Sequence, residues 1–395
     1  MPVLDPEADA LLAFARAARV PGGFAWLDAG GRPDPAQGLP LWITARMTHV
    51  FALAALLGRP EDGELADHGV QALATTFADD GHGGSWSEVR DGRPAGERKE
   101  ACPHAFVLLA ASSARIAGRP GAPALWDAAA EVVAGRFWRE EEGAFAESFG
   151  RAWTDPEPYR GANANMHMVE ACLAAADASG DPRWAERALR AAERIVHREA
   201  RVRSWRVVEH FAADWRPLPD YNEDAPRDPF RPFGVTPGHG LEWARLLLHL
   251  RAALPDPPAW LLEAARGLFA RALQDGWEEP PGGIVYTTDL HGAPVVRDRF
   301  HWAVAEAVAA AAVLHAATGE EGDATWHRRL LAFAREHLAD PERGSWHHEL
   351  DADLRPAART WQGKPDVYHA FQALLLGRLP LAPSLAGAAR SLSAG

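Results

Sequence analysis

Cysteine is scarce in this 395-residue chain, which has Cys102 and Cys172 and no metal-type spacing between them. Both lie in helical patterns, so the expected state is two buried free thiols in a reducing cytosol rather than a disulfide. No apolar run approaches the roughly 18 uncharged residues of a membrane span. The opening stretch, MPVLDPEADALLAFARAARV, has acids where a secretory leader would be basic. Positive charge is in deficit, with 41 Lys and Arg against 54 Asp and Glu and a formal net charge of −13. Nucleic acid and anionic membranes are therefore poor partners. Phosphate-binding glycine loops, a dinucleotide fingerprint, a nucleophile elbow and an H-E-x-x-H pair are also missing. The expectation is a cytoplasmic enzyme for small molecules that needs no cofactor and no metal. His347–His348–Glu349 is the one run of metal-ligand composition.

What the chain has is repetition. A Gly-aromatic element starts at Gly22 (GGFAWLDAGGRP), Gly83 (GGSWSEVRDGRP), Gly143 (GAFAESFGRAW), Ser204 (SWRVVEHFAADWRPL), Gly282 (GGIVYTTDLHGAP) and Gly344 (GSWHHELDADLRP). The period is about 60 residues, the size of a repeated supersecondary unit. The fourth interval is longer because it holds PLPDYNEDAPRDPFRPFG. Alternating aromatics followed by D-G-R-P-like residues predict short β-hairpins. The pattern before a hairpin is an amphipathic helix, as in Trp184–Arg198 and Trp326–Leu338. The pattern after it is apolar nearly all round, as from Val50, Ala105 and Ala303. A helix apolar on every side is buried on every side. Six such helices alternating with six one-faced ones predict an all-α (α/α)6 barrel, a toroid with hairpins in its loops, as one domain over residues 1–395.

The starts of the apolar helices carry residues that a core does not need. They are Trp42 and Arg46; His104; Asn163 and His167; His239 and Glu242; Trp302 and Glu306; and His369. Spacings of three and four put the paired members on one helix face. In a closed ring all six starts meet at one end of the central cavity. His49, His249 and His315 read as core histidines, and His82, His291 and the His347–His348 pair as rim or surface residues.

Tryptophan faces with Arg, Glu, Asn and His make a carbohydrate pocket. Two carboxylates such as Glu242 and Glu306 would serve a glycoside hydrolase, and a non-catalytic sugar-binding protein is a second alternative. The surplus of histidines argues instead for proton transfer near neutral pH. Removing a proton next to a sugar carbonyl needs a base and a group that stabilises the enediolate oxygens. Arg46 is the cation available for that.

At these same residues the chain resembles the N-acylglucosamine 2-epimerase superfamily, in its aldose–ketose isomerase branch. The stretches are PLWITARMTHVFALA, YRGANANMHMVEACLAA, FRPFGVTPGHGLEWARLLL, DRFHWAVAEAVAAA and GKPDVYHAFQALLL. The resemblance implies His239 and His369 as the acid/base pair, Glu242 as support for His239, and Arg46 on the reacting oxygens. It implies Trp42, Asn163, His167, Arg231, Trp302 and Glu306 around the sugar, with His104 and Gln362 as further candidates. His369 is assigned the proton that moves between C2 and C1, and His239 ring opening and transfer on oxygen. The implied reaction interconverts D-mannose and D-fructose, with D-lyxose and D-xylulose as a related pair. Sulfoquinovose isomerisation and 2-epimerisation remain open, and the expected state is a monomer or homodimer acting on a free monosaccharide.

Overall fold

An α-helix begins where each Gly-aromatic element and its connecting loop end. The computed structural model describes residues 4–393. Its outer ring is α1 (Pro6–Ala15), α3 (Pro60–Thr75), α5 (Ala122–Val132), α7 (Arg183–Ala192), α9 (Trp260–Gly276) and α11 (Glu321–Phe333). Its inner ring is α2 (Leu41–Leu56), α4 (Ala101–Ile116), α6 (Ala162–Ser179), α8 (Pro237–Ala253), α10 (His301–Thr318) and α12 (Tyr368–Leu376). Each inner helix packs on the next, and α12 returns to α2, so the ring is closed. The amino-terminal α1 packs on α12 and α2 and so supplies the outer helix of the last inner one. A last helix, α13 (Leu385–Ser393), packs on α2, α4 and α6.

The two rings follow from local pattern. Outer α7 buries Trp184, Ala185, Ala188, Ala191 and Ala192, one stripe at helical spacing. Inner α10 buries an uninterrupted run from Ala303 to Leu314. The outer helices α5, α7 and α11 end in wider π turns at Val133–Phe137, Glu193–Ala200 and Ala334–Leu338.

Hairpins form in the loops as short antiparallel pairs, for example Trp138–Arg139 with Ala144–Phe145 and Val285–Thr288 with Pro294–Phe300. They cover the end of the barrel where the inner helices start. The first N–H of an inner helix is an orphan donor, and in α2, α4, α6 and α10 a hairpin carbonyl of the next repeat takes it. Leu41 donates to Ser87 at 2.9 Å, Ala101 to Glu147 at 2.8 Å, Ala162 to Glu209 at 2.9 Å and His301 to His348 at 3.1 Å. Hairpin residues are thereby locked over the helix starts, which is what builds the site.

Candidate active site

The hairpins, the inner-helix starts and the Pro/Asp-rich insertion enclose a cavity of about 980 Å³. Among the expected residues, Trp42, Arg46, Asn163, His167, Arg231, His239, Glu242, Trp302, Gln362 and His369 line it. Trp302 sits between the two candidate acid/base histidines, its ring 5.1 Å from His239 and 6.1 Å from His369. Trp42 belongs to an aromatic arc at the mouth with Trp26, Trp361 and Phe230, at centroid distances of 5.4 to 6.4 Å.

Both imidazoles are held by carboxylates. His369 Nδ1 meets Glu306 Oε1 at 2.9 Å, and His239 Nδ1 lies 3.0 Å from both oxygens of Glu209. An ionised carboxylate only accepts, so Nδ1 carries a proton, and in the neutral imidazole the lone pair is then on Nε2. Burial pushes the His369 pKa well below the ordinary imidazole value, and the neighbouring charge of Arg46 adds to the effect. His369 is therefore held as a neutral imidazole at pH 7.

Arg46 is caged by the rings of Phe106, Tyr368 and Trp42 at 4.3, 4.8 and 4.9 Å, and Nη1 reaches Asp366 at 3.4 Å. Below this layer Arg245 ties three carboxylates together. It binds Glu306 at 2.7 Å and lies 3.4 Å from Glu170 and 3.6 Å from Glu242. Burial, with Glu306 nearby, raises the Glu242 carboxyl well above the usual carboxylate range. Its nearest imidazole is His167, whose Nδ1 is 3.6 Å away.

Several sequence expectations are corrected here. Glu242 does not support His239; it faces His167 and Arg245, and Glu209 of the fourth hairpin holds the histidine. Glu306 does not line the sugar cavity; it lies beneath it, bridging Arg245 and His369. His104 is also outside the lining, since its Nε2 accepts the Ser85 N–H at 2.9 Å and its ring packs on Phe137. His348, read as a rim residue, is buried in the cavity wall and stacks on His301 at 3.6 Å. His315 is only half-buried, at the end of α10, with Nδ1 on the Glu320 carbonyl. Cys172 is buried, whereas Cys102 is half-buried and lines the cavity; both thiols are free. Arg231 lies in the lining with its guanidinium on Glu157 at 2.7 Å.

Sequence reasoning missed Glu209, His301, Glu147 and Tyr159. Glu209 and Glu147 sit in hairpins, where nothing in a helical pattern draws attention to them. His301 is the first residue of α10, directly before the selected Trp302, so the helix-start signal extends to it although it was passed over. Burial brings the Glu147 carboxyl up to about 7, with Arg231 opposing and Glu157 reinforcing the shift.

Among the described residues, two sets of side chains come close enough to share a metal ion: His167, Glu170 and Glu242, and Glu242, Glu306 and His369. The Arg245 guanidinium already occupies these carboxylates, and a divalent ion would have to displace it. His347–His348–Glu349 is divided among unrelated partners, with Glu349 accepting main-chain N–H groups of residues 359–361.

The N-acylglucosamine 2-epimerase family model matches residues 22–373. A D-mannose isomerase of Thermobifida fusca is 57% identical over 390 residues, spanning 98% of this chain and 96% of that protein. A D-mannose isomerase of Pseudomonas cannabina pv. alisalensis is 50% identical, with 98% and 94% covered. The crystal structure of a D-mannose isomerase superposes with a TM-score of 0.89 at 30% identity, covering 95% of this chain and 96% of that one. The toroid, the paired imidazoles and these full-length likenesses agree: the chain belongs to the N-acylglucosamine 2-epimerase family.

Proposed function

We propose that this chain is an aldose–ketose isomerase that interconverts D-mannose and D-fructose. The observation that carries this reading is the pair of buried imidazoles, each with Nδ1 on a carboxylate, in a chain coextensive with mannose isomerases. His239 exchanges protons on oxygen as the pyranose opens. His369 Nε2 then takes the C2 proton, and the cis-enediol oxygens fall to the Arg46 guanidinium. The imidazolium returns the proton to C1 while the O2 hydroxyl proton passes to O1 by way of His239, which completes the ketose with no net gain or loss of atoms. During that step the positive charge on His369 faces Glu306, whose other contacts are with Arg245. Trp302 and Trp42 cover C–H faces of the sugar, and His167, Asn163, Arg231 and Gln362 take hydroxyls.

A hydrolase would need two carboxylates across a glycosidic bond. Glu306 is committed to Arg245 and His369 and lies outside the lining, which counts against that alternative. The lining guanidiniums Arg46, Arg90 and Arg231 each face a carboxylate, which favours a neutral hexose over a sulfonated one. The reading places the reaction in the cytoplasm, on a free monosaccharide, by a monomer or homodimer without a cofactor. The test is incubation of the purified protein with mannose and EDTA, with the products resolved by chromatography. Fructose is the expected product; glucose would mark a 2-epimerase, and no turnover would reject both for this sugar.

A further inference from the structure

The carboxylate on His239 comes from a position that recurs around the ring. Glu147 and Glu209 occupy matching points of the third and fourth hairpins, in FAESF and VVEHF, and Glu349 stands one residue further along the sixth, in WHHEL. Each accepts main-chain N–H groups in the segment leading to an inner helix. Glu147 takes Gly161 at 3.0 Å, Glu209 takes Thr236 at 3.3 Å, and Glu349 takes Thr360 at 2.8 Å and Trp361 at 3.0 Å. Three residues beyond that N–H the third repeat has Ala164, whereas the fourth has His239. One helical turn brings that side chain back over the helix start, where it meets both oxygens of Glu209.

Glu209 is itself immobilised. It is buried, and its carbonyl accepts the Ala162 N–H at 2.9 Å. The next residue, His210, pairs with Gly161 across a short sheet. The His210 imidazole spans the Tyr159 hydroxyl at 2.6 Å and the Pro232 carbonyl at 2.7 Å. A carboxylate held this way has lost its conformational freedom before the histidine docks on it.

We infer that Glu209 is a positioning residue for the reaction. It keeps His239 in the Nδ1–H tautomer, which leaves the Nε2 lone pair for the sugar, and it faces the positive charge formed when Nε2 takes a proton. Anchoring the α8 start would need only the Thr236 contact. The inference rests on the role proposed above for His239.

The experiment compares Glu209→Gln, His239→Asn and the double variant for kcat and KM on mannose, with circular dichroism as the folding control. Glu209→Gln keeps the volume and an acceptor for Thr236 but loses the charge. Its kcat is expected to fall about 10- to 100-fold with KM little changed, as when the outer partner of a working histidine is removed. The double variant should be no slower than His239→Asn alone, because the two residues act as a unit. If His239→Asn is inactive while folded Glu209→Gln turns over normally, the role of Glu209 is overturned and that of His239 stands. If His239→Asn turns over normally, both fall. Should Glu209→Gln not fold, the tautomer of His239 in the unmodified protein decides. In 15N-histidine spectra of the unmodified protein, the resonances missing from His239→Asn should report Nδ1–H; an Nε2–H tautomer would overturn the inference.

Discussion

His369 and His239 carry the same functional group in different settings, and their replacement should separate carbon chemistry from oxygen chemistry. Removing a C–H proton needs a base in reach of that proton, whereas ring opening proceeds slowly in water unaided. His369→Asn should lower isomerisation and solvent-deuterium exchange at the carbon by about 100-fold or more, the usual scale of general acid–base catalysis. His239→Asn should retain carbon exchange when an open-chain ketose is supplied. Deuterium incorporation followed by NMR decides; normal exchange in His369→Asn with loss in His239→Asn would reverse the two assignments. Arg46 offers a planar fork seated among three aromatic faces, which a lysine ammonium does not reproduce. Arg46→Lys should reduce kcat about 100-fold in a normally folded protein, the lower end of the range for losing an oxyanion donor. Wild-type turnover would assign Arg46 to structure. Arg245 neutralises the carboxylates that could otherwise gather a divalent ion, so activity should survive dialysis against EDTA. Loss of activity restored by manganese or zinc would refute the imidazole mechanism.

At the scale of elements, the site depends on how closely α8 approaches α10. Gly238, the second residue of α8, leaves the space that Trp302 and Ala303 of α10 fill. A Cβ there would come 2.5 Å from the Trp302 ring and 2.9 Å from the Ala303 Cβ. Neither neighbour can yield cheaply, since one is a ring in the site wall and the other is fixed to the backbone. Gly238→Ala should therefore destabilise the protein by about 1–3 kcal/mol, the usual cost of overpacking. It should also lower kcat/KM on mannose, because Trp302 packs against both histidines. A thermal midpoint and kcat/KM both at wild-type values would show that the two helices separate without consequence. The hairpins matter through the same geometry. Their carbonyls cap the starts of α2, α4, α6 and α10, so the side chains of those hairpins are delivered to the mouth in a fixed register.

For the whole molecule, the number of buried neutral histidines dictates the response to acid. Burial lowers the His49 pKa to about 3 and those of His104, His249 and His301 to about 4. His167, His348 and His369 are also held well below the ordinary value, again chiefly by burial. The unfolded chain takes up protons at these residues below about pH 6.5 while the folded chain does not. Their contribution to stability is complete above that pH and is lost as pH falls, by about 1.4 kcal/mol per unit for each group. Glu147, Glu170 and Glu242 act in the opposite sense. Their raised folded-state pKa values favour the folded state in acid, and that contribution fades as pH rises from about 4.5 towards 7. Seven histidines outweigh three glutamates, so the melting temperature should fall clearly between pH 6.5 and 5. A melting temperature that is constant or rising over that interval would show that these imidazoles protonate within the fold.

The toroid was legible because burial is a local demand. The uninterrupted apolar face of α10 and the one-sided stripe of α7 state from the sequence which ring each helix joins, and the period of the hairpins states how many units close it. The same logic found the cavity: Trp42, Arg46, Asn163, His167, His239, Trp302 and His369 stand at helix starts, and helix starts converge. Partner choice was another matter. Spacing put Glu242 on the face of His239, yet the carboxylate that reaches the imidazole lies 30 residues upstream in a hairpin. Glu306, on the face of Trp302, turns instead to His369 on the neighbouring helix, 63 residues on. Spacings of three and four describe neighbours within one helix, whereas contacts between helices and hairpins depend on the curvature and register of the closed ring. Those are set by the packing of all six repeats together. The sequence by itself determined that the inner-helix starts converge on the cavity, and only the tertiary structure decided which side chains line it and which of them hold one another.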